Sequence, residues 1–287
     1  MGEFAYYDEL SGVRRGRPNF VGKISDVRGE FSVGVRLDRY GFRNDDQDSD
    51  STNNYVLGDS FVFGWGVEDY EVFTEIVGES IGSKVRNLGV PGADVYDYLR
   101  ILEFMGVSKN PGFVAVSVTM ENDVNCYGNH ENRNSVSDSK PFLRESVDYL
   151  TRLSAFFSVG SAIAKSNPIV VEAVRRSSML VSNNDKLSSV CGGNEKIEST
   201  KSLLKIIQKI SIESNKKFII IIVPPRPPYN KDSVYVDFVD ELKRDGLDVL
   251  NLEVFYGNPG LIFPVDGHWN SKGHQIAAEA LIEFLER

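Results

Sequence analysis

Five residues of this 287-residue chain have the types and order needed for acyl-group chemistry: Ser60, Gly92, Asn122, Asp266 and His268. A serine hydroxyl is a weak nucleophile until a base takes its proton, and neutral imidazole suits that task near pH 7. Asp266, two positions before His268, can hold the ring in one tautomer and stabilise the imidazolium. The tetrahedral intermediate carries an oxyanion that needs preorganised donors. The backbone N–H groups of Ser60 and Gly92 and the side-chain amide of Asn122 supply three. The bland alternative for Ser60 is a helix N-cap, since Ser and Asp are preferred there.

These residues must be brought together by the elements that precede them. Residues 54–57 read as a short apolar strand ending in the turn formers Gly58 and Asp59. Further strands are expected over 84–88, 113–118, 217–223 and 248–251. They alternate with helices over about 70–78, 93–105, 201–213, 232–244 and 271–285. Such alternation implies a parallel sheet covered on both faces. Ser60, Gly92 and Asn122 follow the first three strands, and Asp266 and His268 precede the last helix. Parallel topology therefore brings all of them to the carboxyl edge, where open α/β sheets hold ligands.

Outside that rhythm, residues 1–52 are expected to form an N-terminal extension packing on a core domain of 53–287. Within the extension, residues 29–37 alternate as an edge strand or hairpin arm. Residues 45–50 form an acidic loop without the glycine and distal glutamate of an EF-hand. A helical and loop insertion is expected at about 124–199. It has helices over 147–164 and 168–180 and a polar loop over 182–199, and would serve as a lid or an oligomer contact. The proline run at 224–228 reads as a stiff loop near the site.

The net charge of −9 argues against a nucleic-acid binder. Cys126 and Cys191 make no Cys-x-x-Cys pair, and with three histidines they form no metal-ligand cluster, so no metal is expected. Two free thiols are expected, with one disulfide between them as the alternative. The longest apolar run, 218–223, is too short to cross a bilayer. No leader pattern opens the chain, and Met1-Gly2-Glu3-Phe4 reads as a cloning remnant. The expectation is a cytoplasmic protein as the chain stands, or an extracytoplasmic one if a leading signal or anchor was removed.

Four blocks in order resemble the SGNH, or GDSL, serine hydrolases: Gly58-Asp59-Ser60, residues 87–92 ending in Pro91-Gly92, Asn122-Asp123, and Asp266-Gly267-His268. The resemblance spans about residues 53–287, apart from the insertion. It implies a flavodoxin-like three-layer α/β/α sandwich with a mainly parallel sheet, and Ser60, Gly92, Asn122 and His268 as the named residues. Asp266 would complete a Ser-His-Asp triad, and no cofactor is implied. Two positions depart from the usual pattern. Met120 stands where the asparagine block usually has glycine, and one residue rather than two separates Asp266 from His268. The second departure is similar to polysaccharide O-acetyl esterase and acetyltransferase branches, which implies removal of short acyl groups from a carbohydrate.

The alternatives are an O-acyltransferase to a glycan using the same residues, a non-catalytic glycan-binding protein on the same fold, and a lipid or long-chain thioesterase. Trp65 and Trp269, beside the nucleophile and base blocks, either line a sugar pocket or pack in the core. His130 is expected in an exposed loop and His274 in a structural role. Asp59 and Asp123 are expected to shape their turns.

Overall fold

Residues 54–58, 85–89, 112–119 and 216–223 are buried almost throughout, as the strands of a sheet covered on both faces must be. In the computed structural model, which describes residues 5–8, 12–45, 52–127, 192–225 and 233–287, they form the centre of a five-stranded parallel sheet. Its strands are β5 (Asn54–Gly58), β6 (Val85–Gly89), β7 (Gly112–Thr119), β8 (Lys216–Val223) and β9 (Val249–Asn251). They lie in the order β6-β5-β7-β8-β9. Counted within the sheet this is 2-1-3-4-5, the flavodoxin-like doubly wound order. The strand order reverses between β5 and β7, where Tyr55, Val56 and Leu57 register with Val114, Ala115 and Val116.

Seven α-helices are described: α1 (Ser60–Phe63), α2 (Phe73–Ile81), α3 (Val95–Met105), α4 (Met120–Asp123), α5 (Gly193–Glu213), α6 (Ser233–Arg244) and α7 (Ser271–Glu286). Alternate strand residues feed two cores. Leu57, Leu88, Val114 and Ile220 pack with Leu102 of α3, Leu204 of α5 and Phe238 of α6. Val56, Ala115 and Ile221 pack on the opposite face with Val77 of α2 and Leu281 of α7. The result is the three-layer α/β/α arrangement.

The N-terminal segment adds two antiparallel hairpins, β1 (Ala5–Asp8) with β2 (Val13–Gly16), and β3 (Val21–Ser25) with β4 (Ser32–Arg36). Beyond them the buried Arg43 fastens the segment to the loop after Ser60. Its guanidinium donates to the carbonyls of Gly64 at 2.5 Å, Val67 at 2.8 Å and Gly34 at 3.1 Å, and to Asp69 at 2.8 Å. Asn44 then pairs with the backbone of Asn87, accepting from its N–H at 2.8 Å and donating to its carbonyl at 2.9 Å. A side-chain amide thus satisfies part of the otherwise open β6 edge.

Residues 29–37 do contribute a hairpin arm, β4, but β1, β2 and β3 were not expected from sequence. β2 and β3 bury few side chains and lack clean alternation. The polar loop expected over 182–199 is also corrected at its end, because α5 begins at Gly193. Glu195 accepts from the Gly192 N–H at 2.8 Å, and Ile197 and Thr200 are buried, so a polar stretch becomes the first turns of a helix. The helices expected over 147–164 and 168–180, and His130, lie outside the described residues.

Candidate active site

Asp59 follows β5 and caps the short helix α1, its carboxylate accepting from the Phe61 N–H at 3.0 Å. That cap turns the chain sharply and leaves Ser60 half-buried at the carboxyl end of the strand. The two strands flanking the order reversal, β5 and β7, therefore deliver Ser60 and Asn122 respectively, and β6 delivers Gly92. Gly89 could not carry a side chain, because its Cβ would meet the Phe63 backbone nitrogen at 2.3 Å. The end of β6 is thereby pressed against α1. Gly92 adopts φ +76°, a left-handed conformation open to glycine at little cost.

His268 and Asp266 arrive from the turn before α7. Ser60 Oγ lies 2.7 Å from His268 Nε2, and His268 Nδ1 lies 2.5 Å from Asp266 Oδ1. Burial alone would raise the Asp266 carboxyl. Hydrogen bonds from the His268 ring, its charge, its backbone N–H and a hydrogen bond from the Trp65 side chain instead hold it below the usual carboxylate range. An ionised Asp266 can only accept, so Nδ1 carries the proton and Nε2 of the neutral ring accepts from the Ser60 hydroxyl. This is the tautomer a general base needs. His268 and Asp266 retain 19% and 17% side-chain exposure.

Asn122 donates through its side-chain amide to the Ala93 carbonyl at 2.8 Å, which binds the loop after β7 to the one after β6. Behind it Asp123 is fully buried. It accepts from the Thr119 N–H at 2.7 Å and from the Tyr98 hydroxyl at 3.1 Å. Burial, followed by the charge of Asp59, pushes the Asp123 carboxyl well above its ordinary value. Asp59 and Asp123 do shape their turns, as expected, but the Tyr98 partner was not legible because it comes from a different helix.

The sequence left Trp65 and Trp269 between pocket and core, and both are core. Trp269 is 2% exposed and stacks on Phe255 with ring centroids 4.7 Å apart. Trp65 packs with Phe31 and Phe63 and aims its donor at Asp266. The apolar faces of both indoles are thus taken up largely by packing. His274 is buried and accepts from the Phe73 N–H at 3.3 Å, the structural role expected of it.

The expectation of two free thiols also fails, since Cys126 is disulfide-bonded. The Asn125 N–H donates to Thr200 Oγ1 at 3.2 Å and the Tyr127 N–H to Ser199 Oγ at 2.9 Å. Residues 125–127 are thereby held against α5. Cys191 itself lies outside the described residues. Among the described residues no cluster of His, Cys, Asp or Glu could hold a metal ion, and no helix is long and apolar enough to cross a membrane.

No protein-family model and no curated protein sequence matches this chain. Among solved structures it is similar to a lipase/acylhydrolase from Enterococcus faecalis, at 16% identity and a TM-score of 0.47, covering 82% of this chain and 96% of that one. It is also similar to a GDSL-like lipase from Bacteroides thetaiotaomicron, at 14% identity and a TM-score of 0.42, covering 82% and 88%. A third likeness, at 14% identity and a TM-score of 0.47, is to a two-domain esterase active on acetylated mannans, covering 84% of this chain and 51% of that one.

Proposed function

We propose that this chain is a serine ester hydrolase of the SGNH type that removes short acyl groups, acetyl above all, from a carbohydrate. The observation that carries the reading is the relay from Ser60 Oγ through His268 to Asp266, at 2.7 and 2.5 Å, beside the point where the strand order reverses. Ser60 Oγ attacks the ester carbonyl carbon as its proton passes to His268 Nε2. The N–H groups of Ser60 and Gly92 and the Asn122 amide receive the oxyanion. Collapse breaks the bond to the alcohol, which takes the proton back from Nε2. A water, deprotonated by the same nitrogen, then attacks the acyl-serine, releasing the acid and restoring the hydroxyl. Asp266 remains ionised throughout and stabilises the imidazolium.

The sugar preference rests on the Asp266-Gly267-His268 spacing, similar to that of polysaccharide O-acetyl esterase branches. The test is product release from p-nitrophenyl esters, acetate to decanoate, by the wild type and by Ser60→Ala. The expected result is fastest turnover of acetate and none by the variant. A preference for decanoate would overturn the short-acyl reading. Absence of turnover together with absence of fluorophosphonate labelling at Ser60 would overturn the hydrolase reading.

A further inference from the structure

We propose that Glu30, in the turn between β3 and β4, is a positioning residue for the Asp266–His268 pair, so that the N-terminal hairpin completes the active site. This rests on the serine-hydrolase reading for its effect on turnover, though not for its geometry.

One carboxylate spans two consecutive backbone amides. Glu30 Oε1 accepts from the Val265 N–H at 2.9 Å, and Oε2 accepts from the Asp266 N–H at 2.6 Å. Both are charge-assisted bonds, shorter and stronger than neutral ones. Arg28 adds a donor to the Val265 carbonyl at 3.4 Å, and the Phe31 and Phe263 rings meet with centroids 5.1 Å apart. Three neighbours in one turn therefore grip Phe263, Val265 and Asp266.

That grip matters because it reaches the Val265 and Asp266 amides, which the backbone bonds across the turn do not engage. Pro264 and Val265 are exposed, and the bonds across the turn run between Phe263, Gly267 and His268. Asp266 is the residue whose carboxylate orients the catalytic ring. Its amide nitrogen and its side chain share one Cα, so fixing the first fixes the origin of the second. A displacement of about 1 Å in such a constellation can cost on the order of 10²-fold in rate. Glu30 is outside the stretch that resembles the hydrolase family and touches none of the reacting atoms. It acts through Asp266.

The test compares the full-length wild type with Glu30→Ala and the isosteric Glu30→Gln, which keeps one acceptor oxygen. Steady-state turnover of p-nitrophenyl acetate and the NMR resonance of the His268 Nδ1 proton are measured for each. Positioning predicts that kcat falls about 10- to 100-fold in Glu30→Ala with KM nearly unchanged. It also predicts an intermediate kcat in Glu30→Gln and a displaced or broadened Nδ1 proton signal in Glu30→Ala. An unaltered resonance with wild-type kcat, or equal losses in both variants that track a loss of folded protein, would overturn it. Should the wild type not turn over the ester, the hydrolase reading fails, while the resonance comparison still decides the positioning role.

Discussion

The Asn122 side-chain amide donates one hydrogen to the Ala93 carbonyl at 2.8 Å, so the loops that follow the second and third sheet strands are tied to each other. An amide nitrogen has two hydrogens, and the second reaches Asp123 Oδ1 only at a long 3.4 Å, so in the proposed mechanism it is the donor an oxyanion would draw away. Asn122→Ala removes both the tie and the donor. The expected loss in kcat is about 10²- to 10³-fold, the usual consequence of deleting one oxyanion donor. Thermal melting, compared with single-turnover acylation, separates the two effects. A full-rate variant would remove Asn122 from the site.

Asp266→Asn tests the tautomer argument. The amide can present its nitrogen to His268 Nδ1, favouring the ring with its proton on Nε2, which cannot accept from Ser60. The expected fall in kcat is about 10⁴-fold, the scale seen when a triad carboxylate becomes an amide in other serine enzymes. Fluorophosphonate labelling of Ser60 should slow in parallel. Labelling at the wild-type rate would show that Asp266 does not set the tautomer.

Much of this arrangement was legible in the sequence because its residues obey local rules. β8 reads directly from 218–223, since a strand buried on both faces must be apolar at every position. The blocks proposed as catalytic sit at strand ends, where turn formers betray them. Contacts that join distant segments leave no such mark. Glu30 meets Asp266 across 236 positions through backbone amides that any residue could offer. The strands β2 and β3 were missed because they bury little, and the tryptophans stayed ambiguous because composition does not say which face is covered.

Gly92→Ala probes the second oxyanion loop. At φ +76° an alanine is strained, while its Cβ would come no closer than 3.8 Å to Arg14 Nη1, so the penalty is conformational rather than steric. A destabilisation of about 1–2 kcal/mol is expected. The Gly92 N–H would turn away from the site as the strain relaxes, so kcat should fall further than the melting temperature implies. Gly92→Asn, better suited to this conformation, should recover part of both losses. An alanine variant with wild-type kcat would exclude the Gly92 N–H as a donor.

His274 sets an acid limit on stability. It is fully enclosed between Phe73 and Trp269, and burial, helped by the nearby charge of Arg43, lowers its pKa to about 3. Its Nδ1 accepts from the Phe73 N–H, so only the neutral ring fits. In the unfolded chain the same group titrates near its ordinary value of about 6.5. Between these two values the unfolded state binds the extra proton, so stability rises with pH through this window and is lost as pH falls through it. The slope approaches about 1.4 kcal/mol per pH unit, or roughly 3 kcal/mol between pH 6.5 and 4. His274→Gln removes the titrating group. It should be less stable than the wild type at pH 7.5, with the difference shrinking as pH falls towards 4. Urea unfolding of both proteins across that range checks this. Parallel curves would show that another group sets the acid limit.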